Sequence, residues 1–124
     1  MTRAILLVDH GSRLPEANET LRVVADLLRR ISGLEIVRHA HMELGRPSIK
    51  EGVTACVQAG ADEIIVHPYF LVPGRHSTGD IPRMVEEAAR RFPGLRVVVT
   101  EPLGIHEKIC EVILERIRRV EGDR

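Results

Sequence analysis

The chain of 124 residues lacks an excess of either charge: eighteen Lys and Arg balance eighteen Asp and Glu. With a formal net charge of zero, no strong field draws it to nucleic acid or to an anionic membrane surface. Tryptophan is absent, and the aromatic residues are Tyr69, Phe70 and Phe92. That excludes an aromatic platform for base stacking and points to an aliphatic core. No apolar run approaches the ~20 residues of a membrane span. The two cysteines, Cys56 and Cys110, have no CxxC spacing, so neither a disulfide framework nor a zinc ribbon is indicated. Both fall on apolar faces of expected helices and read as buried, reduced thiols. The first apolar run begins within a few residues of Met1 and no secretory signal precedes it, so a cytoplasmic location is expected.

What is present is a regular alternation of strands and helices. Ala4 to Val8 is an uninterrupted aliphatic run, as in a strand buried on both faces. Pro15 to about Arg30 carries Leu21, Val24, Leu27, Leu28 and Ile31 at helical spacing, and Gly33 ends it. Glu35 to Met42 reads as a second strand. Ser48 and Glu51 form a capping box that opens a helix ending near Gly60. Glu63 to Val66 is a third strand that runs on towards Leu71. After a polar loop, Pro73 to Gly79, Asp80 is placed to cap a helix reaching Phe92. Leu95 to Thr100 is a fourth strand. Ile105 to Val120 is a fourth helix, with Ile109, Val112, Ile113 and Ile117 expected to face inward, and the tail from Glu121 is expected to fray. Four βα units with short connections imply one α/β domain, residues 1–124, with a four-stranded parallel sheet and helices on both faces.

In such a sheet all strand carboxyl ends share one edge, where ligands bind. Three polar loops meet there: Asp9 to Arg13, Glu43 to Pro47 and Pro73 to Asp80. His10 follows a buried strand and precedes Gly11, which permits close backbone approach. A neutral imidazole at that point can bind a divalent metal or accept a proton. His76 lies in the third loop, and two imidazoles facing one cavity make an open metal site. Glu43, just past the second strand, can complete the set or take up protons. His39 and His41 share a strand face with Glu43 by the period of two and read as packed core. His67 reads as structural, and His106 as solvated. Arg13, Arg46 and Arg75 flank the loops, where guanidinium groups suit carboxylate or phosphate ligands. Expected helix starts near Pro15, Ser48 and Asp80 aim N–H groups at the same edge. On these residues alone, a metal-handling enzyme, a phosphohistidine-type phosphoryl-transfer enzyme and a non-catalytic metal carrier all remain open.

The segment Ile5 to Arg13, with Pro15-Glu16-Ala17-Asn18 after it, resembles the opening of the short sirohydrochlorin chelatases of the CbiX type. Met42-Glu43 with Pro47-Ser48-Ile49, Gly60-Ala61, and Pro68 to His76 with Asp80-Ile81-Pro82 match in order and spacing. The likeness is strong over about the first two-thirds of the chain and holds by pattern over the rest. It implies a chelatase-like, flavodoxin-like half that inserts a divalent metal into sirohydrochlorin without ATP. Cobalt is the leading metal, with iron and nickel as the others. It assigns His10 and His76 as metal ligands and Glu43 as the acidic residue. Ser12, Arg13, Arg46 and Arg75 then become contacts to the acetate and propionate groups. No cofactor beyond the metal substrate is implied. Larger members carry two such halves around a cleft, so the resemblance implies a homodimer. Two positions depart from the family pattern. Asp9 stands where glycine is common, and is placed to orient or charge-balance His10. Leu14 stands where an aspartate often caps the first helix.

Overall fold

The computed structural model describes residues 1–74 and 76–122, with His76 and Ser77 as backbone only. The elements follow in the order β1 (Arg3–Asp9), α1 (Pro15–Ser32), β2 (Ile36–His41), α2 (Ile49–Gln58), β3 (Glu63–Pro68), α3 (Ile81–Ala89), β4 (Arg96–Val99) and α4 (Glu107–Gly122). A π-helical turn, His76–Asp80, leads into α3. All strand pairs are parallel, and the strand order is β2-β1-β3-β4. The chain leaves β1 in one direction to form β2 and returns past β1 to form β3. The carboxyl ends of β1 and β3 therefore flank the point where the strand order reverses.

Register divides the strand residues between two faces. Ala4, Leu6 and Val8 align with Ile64, Val66 and Pro68 on β3 and with Ile36, Arg38 and Ala40 on β2. This face packs against Ile49, Val53 and Cys56 of α2 and Ile81, Val85 and Ala88 of α3, and it forms the larger core. Gly52 lets α2 lie close, since a Cβ there would come within 2.9 Å of the Ala40 Cβ. The opposite face carries Ile5 and Leu7 of β1, Val37 of β2 and Ile65 of β3. Among the described elements α1 alone covers it, through Leu21, Ala25, Val24 and Leu28. Glu63 is buried at the amino end of this face and is neutralised by Arg3 at 2.8 Å and Arg96 at 3.3 Å.

The sequence expectations hold for most ends of elements. Ser48 and Glu51 form the reciprocal capping box, and Gly33 closes α1 in the left-handed conformation. Leu14 precedes α1 with no side-chain cap. Leu27 and Ile31, expected inward, are exposed, because α1 turns a narrower stripe to the sheet. Asp80 does not cap α3 with its side chain. It already lies in the right-handed helical region as the last residue of the π-helical turn, whereas a capping residue needs extended backbone.

The larger departure is α4. It exists, but none of its residues is buried. Val112, Ile113 and Ile117, expected inward, are exposed, and Ile109 is only half-buried. Cys110 is exposed, while Cys56 is buried as expected and burial pushes its thiol up to about 11. Of the tail expected to fray, Glu121 and Gly122 are helical, and Asp123 and Arg124 lie outside the described residues.

Candidate functional site

Backbone pairing of β1 with β2 continues past both strands. Met42 N–H donates to the Asp9 carbonyl at 2.9 Å, and Glu43 N–H donates to the His10 carbonyl at 3.1 Å. This zipper carries His10 and Glu43 off the carboxyl edge side by side. His10 Nε2 lies 3.2 Å from Glu43 Oε1, and both side chains remain substantially open to solvent. Gly11 makes the approach possible. Its φ is +94°, and a Cβ there would sit 1.8 Å from the Glu43 carbonyl oxygen. The pair thus owes its geometry to a glycine, and it offers an imidazole nitrogen and a carboxylate oxygen to a cation or a proton.

A second pair lies beneath it. Asp9 and His41 are register partners, and the fully buried His41 donates from Nδ1 to Asp9 Oδ1 at 2.5 Å. The imidazole that Asp9 holds is therefore that of the neighbouring strand. Among the described residues His41 Nε2 has no hydrogen-bond partner, and His39 packs edge-on against the His41 ring at 5.6 Å. Burial, then the nearby His41, holds the His39 imidazole below its ordinary value. His39 and His41 are packed residues, as their strand positions suggested, and Glu43 turns to His10 instead.

The loop after His10 is clasped by Asn18, which sequence reasoning did not single out. Its Oδ1 accepts from Ser12 N–H at 2.9 Å and its Nδ2 donates to the Ser12 carbonyl at 2.7 Å. An Asn at the start of a helix that follows a glycine turn was the available signal. The Ser12 hydroxyl accepts from Leu14 N–H at 3.1 Å, so it shapes the loop. Arg13 is exposed at the loop tip. Arg46 is highly exposed and pairs with Glu51 of the capping box. That guanidinium, followed by the Ser48 N–H, holds the Glu51 carboxyl at about 2. Arg75 and the His76 side chain lie outside the described residues, and the His76 backbone opens the π-helical turn in the segment that follows β3. Among the described residues, no group of three or more His, Cys, Asp or Glu is gathered tightly enough to hold a metal.

His67 ends β3 in a different setting. Thr100 Oγ1 donates to the Glu101 carbonyl, so His67 Nδ1 must be the donor to Thr100 Oγ1 at 2.8 Å. Burial holds the His67 imidazole below its ordinary value. A cleft of about 460 Å³ lies at the β4 end of the same edge, between Pro73, Thr78 and Pro82 on one side and Thr100 to Ile105 on the other. Among the described residues, its lining contains neither His10 nor Glu43, and Glu101 is its single ionisable residue. The chemistry-bearing groups therefore gather at the β1/β2 side.

Comparison with known proteins gives a consistent result. Residues 4–120 match the family model described as CbiX. The chain is 44% identical over 123 residues to the chloroplastic sirohydrochlorin ferrochelatase of Arabidopsis thaliana, covering 96% of this chain and 55% of that protein. It is 34% identical over 116 residues to the sirohydrochlorin cobaltochelatase of Sulfurisphaera tokodaii, covering 94% and 92%. Among solved structures, the sirohydrochlorin chelatase SirB from Bacillus subtilis subspecies spizizenii, in complex with cobalt, superposes with a TM-score of 0.89. The identity there is 32%, covering 97% of this chain and 51% of that one. The chain spans about half the length of the first curated relatives it matches. No described helix is long and apolar enough to cross a membrane.

Proposed function

Because this chain belongs to the CbiX family, we propose that it inserts a divalent metal ion into sirohydrochlorin, using the carboxyl edge of β1 and β2 as the metal-delivering surface. The observation that carries this reading is the His10–Glu43 pair, held 3.2 Å apart by a glycine-dependent backbone zipper. His10 presents an imidazole nitrogen to the incoming metal. His76, on the segment that follows β3 across the switch point, supplies the second imidazole. The macrocycle sheds two pyrrole protons as the metal enters, and Glu43 is the carboxylate beside His10 that can take one. No nucleotide is consumed.

The arginines divide by availability. Arg13 is exposed and Arg75 flanks His76, so both suit the acetate and propionate groups of the substrate. Arg46 must first leave Glu51. Ser12 acts through loop shape, since its hydroxyl and backbone are already engaged. A second copy of the chain supplies the other half of the enclosure, in keeping with the chain spanning about half of its larger relatives. The reading places the protein in the cytoplasm or an equivalent aqueous compartment, with sirohydrochlorin as its small-molecule partner.

Relatives are named for both cobalt and iron, and imidazole with carboxylate serves cobalt, iron and nickel alike. The test is an anaerobic assay without ATP, with sirohydrochlorin offered Co²⁺, Fe²⁺ and Ni²⁺ singly and in competition, followed by absorbance. Protein-dependent metallation is expected, with cobalt foremost. Stoichiometric binding without turnover would favour a carrier. A phosphoprotein trapped from a phosphomonoester would favour phosphoryl transfer.

A further inference from the structure

His10 and Glu43 come from two strands, and one residue beneath them touches the support of both. His41 is fully buried at the end of β2, and its Nδ1 donates at 2.5 Å to Oδ1 of Asp9, its register partner on β1. On the other side of His10, the Cβ position of Gly11 lies 3.1 Å from the His41 Cβ. The two chain neighbours of His10 thus both rest against His41. The main chain of His41 is fixed as well. Its N–H donates to the Pro47 carbonyl at 2.8 Å, which closes the loop that begins at Glu43. Glu43 follows two residues after His41, and its N–H reaches the His10 carbonyl.

This arrangement carries a cost that packing does not explain. Among the described residues His41 Nε2 has no partner, and a buried polar atom left unpaired is unfavourable. A leucine, of similar volume, would fill the space without that cost. It would also lose the Nδ1–H that ties β2 to Asp9. The hydrogen bond, and not burial, accounts for an imidazole at this position. Asp9 is the link from the buried ring to the open edge, with its side chain 23% exposed.

We propose that His41 and Asp9 are positioning residues for metal insertion: their hydrogen bond sets the spacing at which His10 and Glu43 meet one cation. Both act through His10 and Glu43. The two backbone bonds of the zipper lie at or beyond the last strand residues, where pairing opens most readily. The Asp9–His41 bond ties the strand ends at the step before, so it limits how far they splay. Spacing matters because two groups serve one reacting centre, and a misplacement of about 1 Å is enough to cost ~100-fold in rate. The proposal rests on the metal-insertion reading and deepens it, by assigning the residues that hold the pair in register.

The test uses the full chain and reads anaerobic Co²⁺ insertion into sirohydrochlorin beside the urea midpoint and amide hydrogen exchange. Asp9→Ala strands the His41 Nδ1–H, so both its midpoint and its turnover should fall. The double variant Asp9→Ala with His41→Leu removes both polar partners and should regain the midpoint. Its turnover at saturating sirohydrochlorin should stay at least tenfold below that of the unaltered chain, with the KM for sirohydrochlorin changed less than twofold. Its Met42 and Glu43 amides, which form the zipper, should exchange at least tenfold faster, while those of β3 keep their protection. Asp9→Asn keeps an acceptor for His41 and should recover most of the turnover. A double variant that regains turnover along with its midpoint would show a merely structural role and overturn the proposal. Asp9→Asn no better than Asp9→Ala would assign the effect to charge and overturn it equally. No insertion by the unaltered chain would instead overturn the metal-insertion reading. Insertion that survives loss of the pair would overturn only the role given to Asp9 and His41.

Discussion

The two halves of one sheet face are the instructive contrast in this molecule. Over β1 and β2, Leu7 and Val37 are buried beneath Leu21 and Ala25 of α1. Over β3 the equivalent aliphatic position, Ile65, lines an open groove, and Val98 of β4 is exposed beside it. Strand composition is alike on both sides, so composition does not decide which half is covered. Connectivity does. The chain returns from β1 through α1 directly onto its own face, whereas the anchored connector after β4 sends α4 away. The chemistry-bearing pair His10–Glu43 sits on the completed side, where backbone pairing is carried past the strand ends. The paired strand ends and the reactive groups coincide on one half, and an open apolar groove lies on the other.

The largest expected effect is on the completed side. Gly11→Ala would drive a Cβ into the Glu43 carbonyl at a left-handed φ. A loss of about 3 kcal/mol or more in urea unfolding is expected, together with loss of metal insertion. A variant of wild-type stability would show that the zipper does not position the site.

Next comes a pair of core substitutions that sharpens the contrast. Leu21→Ala, beneath α1, should cost about 2–5 kcal/mol at any protein concentration, because its pocket is complete within one chain. Ile117→Ala, on the bare stripe of α4, should cost less than about 0.5 kcal/mol in dilute solution and more as concentration rises. Equal, concentration-independent losses would erase the distinction.

Smaller effects concern caps and protons. Ser48→Ala removes the α2 cap and should cost about 1 kcal/mol by thermal unfolding. Burial keeps the folded pKa values of His39 and His67 below 6.5. The unfolded chain then takes up protons that the folded chain resists, so stability falls as pH drops below about 6.5 and stops falling below the folded values. A second loss, from Glu51, begins near 4.5 and is complete only at about 2, since that carboxylate contributes above its unfolded value. Replacing His39 and His67 together with Gln should flatten the first decline in a pH series of urea midpoints and leave the second in place.

Much of this was legible in the residues. The alternation of aliphatic runs with helical stripes specified the four βα units, and Ser48 with Glu51 marked a helix start to the residue. His10 and Glu43 were both placed just past adjacent strand ends, which suffices to bring them together. What escaped were relations that periodicity does not encode. The stripe on α4 announces an apolar face, but not that the helix lies off the sheet with that face exposed. Asp80 has the right chemistry for a cap, but the turn before it fixes its backbone in the wrong region. The close approach of Gly11 to Glu43 and the pairing of Asp9 with His41 depend on register between strands some thirty residues apart in sequence.

The measurement that bears most directly on the central claim is anaerobic metallation of sirohydrochlorin by Co²⁺, comparing the unaltered chain with one carrying both His10→Ala and His76→Ala. The unaltered chain should accelerate insertion well above the rate without protein, and the double variant should lose at least ~100-fold of that acceleration while keeping its unfolding midpoint. Undiminished insertion by the folded double variant would contradict the assignment of these imidazoles to the metal.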